Sequence, residues 1–311
     1  MTERDWSGGA VQDIEVAAKV GRNGLLKPEE KEVRRPNRKP RAFTPITYLV
    51  MVVVVVMTIY PIIWMIFGAL KSQGEFYTNI WGWPHVLTWS NFSAAWDQAQ
   101  LGRKFINSII ATAGTLLLVI PLCSMAGYAF AKVRFPLKRW MYYYILVGIM
   151  IPFGVTAIPV LTVTLELHLF DTMQGLILVY AAQSLPFGTF LMYVFFESIP
   201  NELEEAALTD GCSRFGALVR VVLPLAVPGL ATLLIFIGTS TWNEYFMASV
   251  LIHQNNLETL PLGLVVFETA HTTNYPELFA ALAIVTAPMV VVFLAAQRQF
   301  ISGLTSGAVK G

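Results

Sequence analysis

Acidic side chains concentrate in one polar stretch of the chain, residues 199–229, which lies between two long apolar segments. The four histidines are scattered and neither an H-E-x-x-H nor a C-x-x-C motif occurs, so the sequence offers no spacing typical of metal ligands. We therefore expect no metal site, and we expect the carboxylates to make charged contacts with something in water. The carboxylates of this stretch are Glu202, Glu204, Glu205 and Asp210, with Glu197 just upstream.

Nucleotide chemistry is also not predicted for this chain. A phosphate-cradling loop of the type G-x-x-x-x-G-K-[ST] does not occur, and the glycines and lysine of residues 21–28 have the wrong spacing. The two cysteines, Cys123 and Cys212, lie in different segments and are expected to be free thiols. The sequence thus predicts that the chain is not an enzyme and holds no cofactor.

The composition indicates a membrane protein. Hydrophobic residues make up 55% of the 311 residues and charged residues only 13%, whereas soluble domains carry about 25% charged residues. Six charge-free segments are each at least as long as the ~20 residues that a spanning helix needs. Because every backbone group in lipid must be satisfied internally, each is predicted to be a transmembrane helix. The segments are 42–70, 105–131, 140–165, 172–196, 221–243 and 278–297.

The distribution of basic residues predicts the orientation. With both termini on one side, the regions on that side carry 18 of the 21 Lys and Arg residues, and the opposite loops carry three. Positive loops face the cytoplasm, so the stretch 199–220 and both termini are expected there. Four parts follow from this division: a polar tail (1–41), a first span with a long outer loop (42–104), a core of five spans (105–298) and a C-terminal tail (299–311). The basic end of the first tail suits a membrane surface better than nucleic acid.

Prolines occur in or beside all six segments, for example Pro152, Pro186 and Pro224. Static kinks that aid packing and hinges in a moving bundle are both compatible with them, and the static interpretation is favoured.

The polar stretch itself predicts two short helices joined by a turn. Asn201 and Glu204 have the spacing of a capping box at a helix start, and Gly211 permits a turn before a second helix leads into the next span. Ala206 and Ala207 are small and allow another backbone to approach closely. Such a surface fits a groove on a soluble partner, although a plain amphipathic interfacial loop has similar properties.

The spacing of residues in this loop resembles the signature loop of importer-type ABC transporter permeases. The pattern is E-A-A, three residues, Gly, nine residues, Val, one residue and Leu-Pro, and Val221 stands where the family often has Ile. Further stretches, 199–211, 241–245, 260–264 and 303–311, resemble the carbohydrate-uptake branch, with most similarity to maltose-type "G" permeases. The resemblance covers most of residues 43–311.

The resemblance implies an all-α fold of the type I ABC importer, with six transmembrane helices and a cytoplasmic coupling helix between spans four and five. It implies a second permease, two cytoplasmic ATPase subunits that bind ATP and Mg, and an extracytoplasmic substrate-binding protein, all at the plasma membrane. The coupling helix would contact the ATPase. The residues implied at this coupling site are Glu205, Ala206, Ala207, Asp210, Gly211, Arg214, Leu223 and Pro224.

A substrate pathway is less clearly marked by the sequence. Charges within a membrane are costly and usually functional; Glu244 comes nearest, and its position after 23 charge-free residues favours a place at the outer interface. Trp242, Asn243 and Tyr245 either contact a sugar or anchor the end of the span. A neutral pathway suits a sugar, and glycerol phosphate or another polyol derivative is the alternative solute. A secondary carrier or channel is the alternative class, but it usually needs intramembrane charges.

Overall fold

The computed structural model describes residues 45–267 and 273–308. The predicted tail 1–41 lies outside the described residues. The chain divides into two compact units, Met1–Val55 and Val56–Gly311. The described part of the first unit is the beginning of a long apolar helix, and the second unit contains the other elements.

All regular elements of the described residues are helical. Three segments have a tighter or wider helical form: 3₁₀-helices at Phe153–Thr156 and Leu264–Phe267, and a π-helix at Leu218–Val222. The α-helices are α1 (Pro45–Ala69), α2 (Gln73–Thr78), α3 (Ser90–Gln98), α4 (Leu101–Lys132), α5 (Lys138–Met150), α6 (Ala157–Glu166), α7 (Met173–Glu197), α8 (Asn201–Thr209), α9 (Arg214–Ala217), α10 (Leu223–Leu225), α11 (Val227–Trp242), α12 (Phe246–Leu251), α13 (Leu260–Gly263) and α14 (Tyr275–Ala308).

Within the described residues, four helices are long and apolar enough to cross a membrane unbroken: α1, α4, α7 and the part of α14 up to Ala295. Two further spans are formed by bent pairs of helices. This gives the predicted six spans if each bent pair counts as one. The predicted all-α membrane fold is therefore confirmed, while two of the six segments differ from the expected single helix.

The third segment, 140–165, is broken rather than straight. Its two halves, Lys138–Met150 and Phe153–Glu166, meet at an angle of 95°. Pro152 lies at the break with an extended backbone (φ −62°, ψ 127°) and precedes a 3₁₀ turn. Since hydropathy reports only how apolar a segment is, it does not distinguish this corner from a continuous span.

The fifth segment, 221–243, is also broken. Arg214–Leu225 and Val227–Trp242 meet at 79°, with the bend at Ala226. The π-helix ends just before Pro224, and Pro228 lies in the first turn of α11. Proline lacks a backbone donor and fits the start of a helix better than its middle, which explains why the chain bends between these two prolines.

Helices α4, α7, α11 and α14 form the packed centre of the second unit. Small residues let α4 and α7 approach closely: a Cβ added at Gly127 would lie 2.7 Å from the Met192 Cβ, and one at Gly188 would lie 2.5 Å from the Cys123 sulfur. Close approach at small residues is how helices associate in lipid, where apolar burial gives little driving force. Outward-facing apolar side chains such as Leu117, which is 75% exposed, suit a lipid environment.

The beginning of α4 is fastened to a loop that is distant in sequence. The Lys104 ammonium forms a 2.6 Å ion pair with Glu258. The Asn107 side-chain amide donates to the carbonyl oxygens of Asn256 and Glu258 at 2.9 and 2.8 Å, and the Ser108 hydroxyl accepts from the Leu260 amide at 2.8 Å. Residues 104, 107 and 108 share one helix face, so this face holds the loop at several points.

Candidate functional site

The predicted coupling helix is present as α8, and its C-terminus is closed by Gly211. Gly211 has φ +87° and donates to the Leu208 carbonyl, while the Cys212 amide reaches back to the Ala207 carbonyl at 3.0 Å. This pair of bonds is a Schellman motif, which needs a left-handed residue directly after the helix. Glycine adopts that conformation without steric cost, so the glycine of the sequence pattern has a definite structural role.

The capping box expected at the start of α8 does not form. Pro200 occupies the N-cap position and no side chain caps the helix. The Glu204 carboxylate instead accepts a 2.6 Å hydrogen bond from the Tyr128 hydroxyl near the end of α4. Both residues are buried, at 6% and 5% exposure. A tertiary contact thus replaces the local one that the spacing suggested.

A second contact joins the same two helices. The Lys132 ammonium donates to the Ile199 carbonyl oxygen at 2.5 Å and to the Asn201 side-chain oxygen at 2.7 Å. Tyr128 and Lys132 are four residues apart in α4, so both lie on one face of that helix. The last turns of α4 therefore hold α8 at its entry and again one turn further along.

The opposite face of α8 is open. Glu205, Ala206, Asp210 and Gly211 are exposed, and Ala207 is half-buried. The exposed surface combines two carboxylates with small residues. The exposure of this face is compatible with the predicted docking role, which remains a prediction for each of these residues.

The remaining predicted coupling residues lie on the segment that follows. Arg214 is exposed, with a guanidinium nitrogen 3.8 Å from the Glu204 carboxylate. The Ser213 hydroxyl caps α9 by accepting from the Gly216 amide at 3.1 Å. Leu223 is half-buried against the apolar core and Pro224 is exposed. Pro224 thus stands between the π-helix and the bend, where it shapes the entry into α11.

A cavity of about 200 Å³, lined by six polar residues and three apolar ones, opens between α7 and α11. Gln183, at the cavity wall, is the eleventh residue of the 25-residue α7. At ~1.5 Å per residue it lies near the middle of that span. Two phenylalanine rings, Phe187 and Phe236, line the cavity with their centroids 5.6 Å apart. The polar residues that line it are Tyr180, Gln183, Ser184, Ser240, Thr241 and Glu244.

Glu244 faces α7 and lines this cavity. Its carboxylate accepts a 2.7 Å hydrogen bond from the hydroxyl of Tyr180, the eighth residue of α7, and accepts from the Met247 and Ala248 amides at 2.7 and 3.0 Å. Counting apolar residues places Glu244 at the end of a span, but the chain bends at Ala226 and leaves only 16 residues in α11. The shortened helix brings this carboxylate to the cavity.

The three residues predicted to line the pathway lie elsewhere than the cavity wall. Trp242 is buried, packs edge-on against Phe105 and donates its indole N–H to the Val285 carbonyl at 3.4 Å. The exposed Asn243 donates its side-chain amide to the Thr239 carbonyl, and Tyr245 is 45% exposed. Sequence reasoning did not identify Gln183 and Ser240, because single polar residues inside apolar segments carry no spacing signal.

Metal-ligating side chains do not cluster in the described parts of the chain, where no group of three or more His, Cys, Asp or Glu residues could hold an ion.

Named relatives align with most of the chain. It is 37% identical over 252 residues to a probable ABC transporter permease protein, YurM, of Bacillus subtilis (strain 168), covering 81% of this chain and 84% of the relative. It is 31% identical over 272 residues to the diacetylchitobiose uptake system permease protein NgcG of Streptomyces coelicolor, covering 87% and 90%.

A solved structure shares the fold. A chain in the crystal structure of a bacterial ABC transporter involved in the import of the acidic polysaccharide alginate superposes with a TM-score of 0.74 at 23% identity, covering 85% of this chain and 98% of that one. This likeness confirms the predicted type I importer permease fold.

The family model that matches the chain is the binding-protein-dependent transport system inner membrane component, over residues 120–306. Members are ABC permease subunits that are not themselves enzymes and that work with a partner permease, separate ATPase subunits and a binding protein, as the sequence predicted. With its membrane helices, the signature loop on α8 and these relatives, the chain belongs to the family of binding-protein-dependent ABC transporter permeases.

Proposed function

We propose that this chain is one permease subunit of an ATP-driven importer of a neutral oligosaccharide, with α8 as the helix that docks into the ATPase. The observation that carries the proposal is the geometry of α8, which is held on one face by α4 and open on the other. A helix fixed in this way presents a constant surface to a partner and transmits its displacement into the membrane helices.

The open face suits a groove on a soluble protein. Ala206 and Gly211 allow close backbone approach, and Glu205 and Asp210 flank them with negative charge. Arg214, Leu223 and Pro224 then set the angle at which the loop returns to α11. In this proposal the ATPase binds both ATP and Mg, and the closure of its dimer pulls α8.

The charge distribution supports an orientation of the chain in the membrane. The 18 Lys and Arg residues on the side of the 199–220 loop, against three on the other, support a cytoplasmic position for α8 and both termini. The proposal retains a polar tail over 1–41, a first span and outer loop over 42–104, a core over 105–298 and a tail over 299–311. The membrane is then the plasma membrane, with the binding protein outside.

The cavity supports a saccharide as the substrate. Amide and hydroxyl groups such as those of Gln183 and Ser240 both donate and accept hydrogen bonds, as sugar hydroxyls do, and the Phe187 and Phe236 rings offer apolar faces. Glu244 adds negative charge, which disfavours an acidic ligand. The relative named for diacetylchitobiose uptake supports the same class. In this proposal the residues that line the cavity contact the substrate instead of Trp242, while Asn243 and Tyr245 are kept as pathway residues because they flank Glu244 in the sequence.

Reconstitution tests the proposed function. The chain is purified with its partner subunits, placed in liposomes with ATP on the α8 side, and supplied with binding protein and labelled maltose, melibiose, cellobiose, diacetylchitobiose or digalacturonate. We expect uptake of at least one neutral sugar that stops without ATP, and little uptake of digalacturonate. Uptake that persists after removal of the ATPase would contradict the proposal.

The docking face is tested by charge reversal. Glu205→Arg on the open face should reduce recovery of the ATPase with the permease, because it replaces an attractive contact with a repulsive one. Glu202→Arg, also exposed on α8 but outside the signature pattern, is the matched control. Equal recovery of the ATPase with both variants would remove the docking assignment.

A further inference from the structure

We propose that Tyr128 and Lys132 clamp α8 rigidly to α4, so that a displacement of α8 moves α4 with it before it reaches α11. The clamp consists of Tyr128, Lys132, Asn201 and Glu204. The inference rests on the proposed function of α8 and adds the route by which its motion enters the membrane helices.

Two separate contact points give the clamp its rigidity. Tyr128 holds Glu204 at 2.6 Å, and Lys132 holds Asn201 at 2.7 Å and the Ile199 carbonyl oxygen. Residues 128 and 132 are one turn apart on α4, and residues 201 and 204 are nearly one turn apart on α8. A single bond would let α8 rotate about it, whereas two bonds spaced by a helical turn fix its orientation as well.

The clamp is costly to open. Glu204 is only 6% exposed, and a buried carboxylate without hydrogen bonds is strongly destabilising. Its described partners are the Tyr128 hydroxyl and the Arg214 guanidinium, which is 3.8 Å away and exposed to water. The Tyr128 bond is therefore the main support of this carboxylate, and separating the two helices would leave it with only the 3.8 Å contact to Arg214.

The other connection of α8 is built differently. Between α8 and α11 the chain passes through a π-helix, Pro224, the bend at Ala226 and Pro228. π-helical segments are less regular than α-helix, and proline removes backbone hydrogen bonds. This side provides a joint, whereas the α4 side provides a rigid attachment.

The consequence concerns the cavity. Helix α4 packs closely on α7 at Gly127 and Gly188, so α7 follows α4. The cavity lies between α7 and α11. A displacement that moves α4 and α7 together against α11 changes the separation of the two cavity walls, and this links ATPase motion to access of the substrate.

Removing the hydroxyl of Tyr128 tests the clamp in the complete transporter. The number of sugar molecules imported per ATP hydrolysed is measured for Tyr128→Phe, with Tyr193→Phe on α7 as the matched control and with the neutral sugar that the wild type imports best. We expect this ratio to fall at least about threefold in Tyr128→Phe, because the lost hydrogen bond is one to a buried carboxylate, while ATP hydrolysis continues. An unchanged ratio would overturn the proposal.

A double variant separates coupling from stability. Tyr128→Phe removes the only described hydrogen bond to the Glu204 carboxylate and leaves it with the 3.8 Å contact to Arg214. Adding Glu204→Met removes the buried charge, so Tyr128→Phe/Glu204→Met should recover the thermal stability that Tyr128→Phe loses. We expect the import per ATP to remain low. Glu204→Gln keeps an oxygen that accepts from Tyr128 and should retain the wild-type ratio. Recovery of import together with stability in the double variant would show that the contact is merely structural.

A distance measurement tests the clamp independently of transport. Spin labels at Arg134, two residues after the end of α4, and at Glu202, in a chain with Cys123→Ala and Cys212→Ser, report the separation of this end of α4 from α8. We expect a narrow distribution in the wild-type background and a broadened one with Tyr128→Phe. If the wild-type complex imports no sugar but the distribution behaves as expected, the proposed function fails and the clamp stands. Equal widths in both backgrounds would overturn the clamp.

Discussion

The two ends of α4 both hold a loop that is distant in sequence, but they hold it in different ways. At the Leu101 end, one helix face binds residues 256–260 through an ion pair and three hydrogen bonds, and the loop is covered by apolar packing around Leu260. At the Lys132 end, two side chains bind one face of α8, and the other face stays open. The comparison indicates one end whose loop is held and covered, which we call the fixed end, and one end with an exposed helix face, to which the proposal assigns docking.

We expect the largest effect from a substitution that removes the ion pair of the fixed end. Lys104→Met leaves Glu258 without its partner, and both side chains are mostly buried, at 9% and 22% exposure. Breaking such a pair by removing one partner costs about 3 kcal/mol, because a charge remains without compensation. We expect a clear fall in the thermal midpoint of the purified complex, measured by intrinsic fluorescence.

Arg103→Met is the matched control, since Arg103 is the exposed neighbour of Lys104, and it should leave the midpoint almost unchanged. If this end is only structural, the folded Lys104→Met protein should still import the wild-type amount of sugar per ATP. A reduced ratio with normal stability would mean that the fixed end also takes part in coupling.

A smaller effect is expected from the hydrogen bonds of the same end. Asn107→Leu preserves the size of the side chain but removes two bonds to the carbonyl oxygens of Asn256 and Glu258. At about 1 kcal/mol for each bond, the loss is about 2 kcal/mol. Hydrogen exchange should show faster exchange of the Leu260 amide. Unaltered exchange would indicate that the contacts of Lys104 and Ser108 and the packing of Leu260 hold the loop without Asn107.

At the docking end, Gly211→Ala should cost about 1 kcal/mol, because alanine is strained at φ +87°. Space does not limit the substitution, since nothing lies within 4 Å of an added Cβ. Exchange of the Cys212 amide, which closes the Schellman motif, measures the effect. Gly216→Ala in α9 is the control, and we expect it to slow exchange or leave it unchanged, because Gly216 is helical. Equal effects of both substitutions would contradict the cap assignment.

The smallest predicted effect is a response to acid near the fixed end. Burial would raise the pKa of Asp171, but hydrogen bonds from the His253 and Gln254 amides outweigh it and hold that pKa below 3.8. A depressed carboxyl pKa contributes stability above the unfolded value that is lost as the pH falls through the folded pKa. Exchange at residues 252–257 should therefore accelerate below about pH 3.8 in the wild type, and Asp171→Asn should lack this transition. A transition that persists in Asp171→Asn would assign it to another group.

Much of the fold followed from composition, and the coupling loop followed from its spacing. Charge-free length reports membrane segments because lipid demands it, and Gly211 marks the helix end because few other residues adopt its conformation. The bends at Pro152 and Ala226 were not predicted, since hydropathy does not report the direction in which an apolar segment runs. Glu204 was misassigned to a capping box because its partner, Tyr128, is 76 residues away. The cavity was missed because it is assembled from isolated polar residues on two helices.

The most direct measurement of the central claim is a photo-crosslink from the open face of α8 in native membranes. Benzoylphenylalanine replaces Ala206 on this face, or Trp83 on the loop between α2 and α3, where the side chain is 74% exposed. We predict a crosslinked product from position 206, but not from position 83, that contains this chain and an ATPase subunit. No ATPase product from position 206, or an equal one from position 83, would contradict the assignment of α8 as the coupling helix.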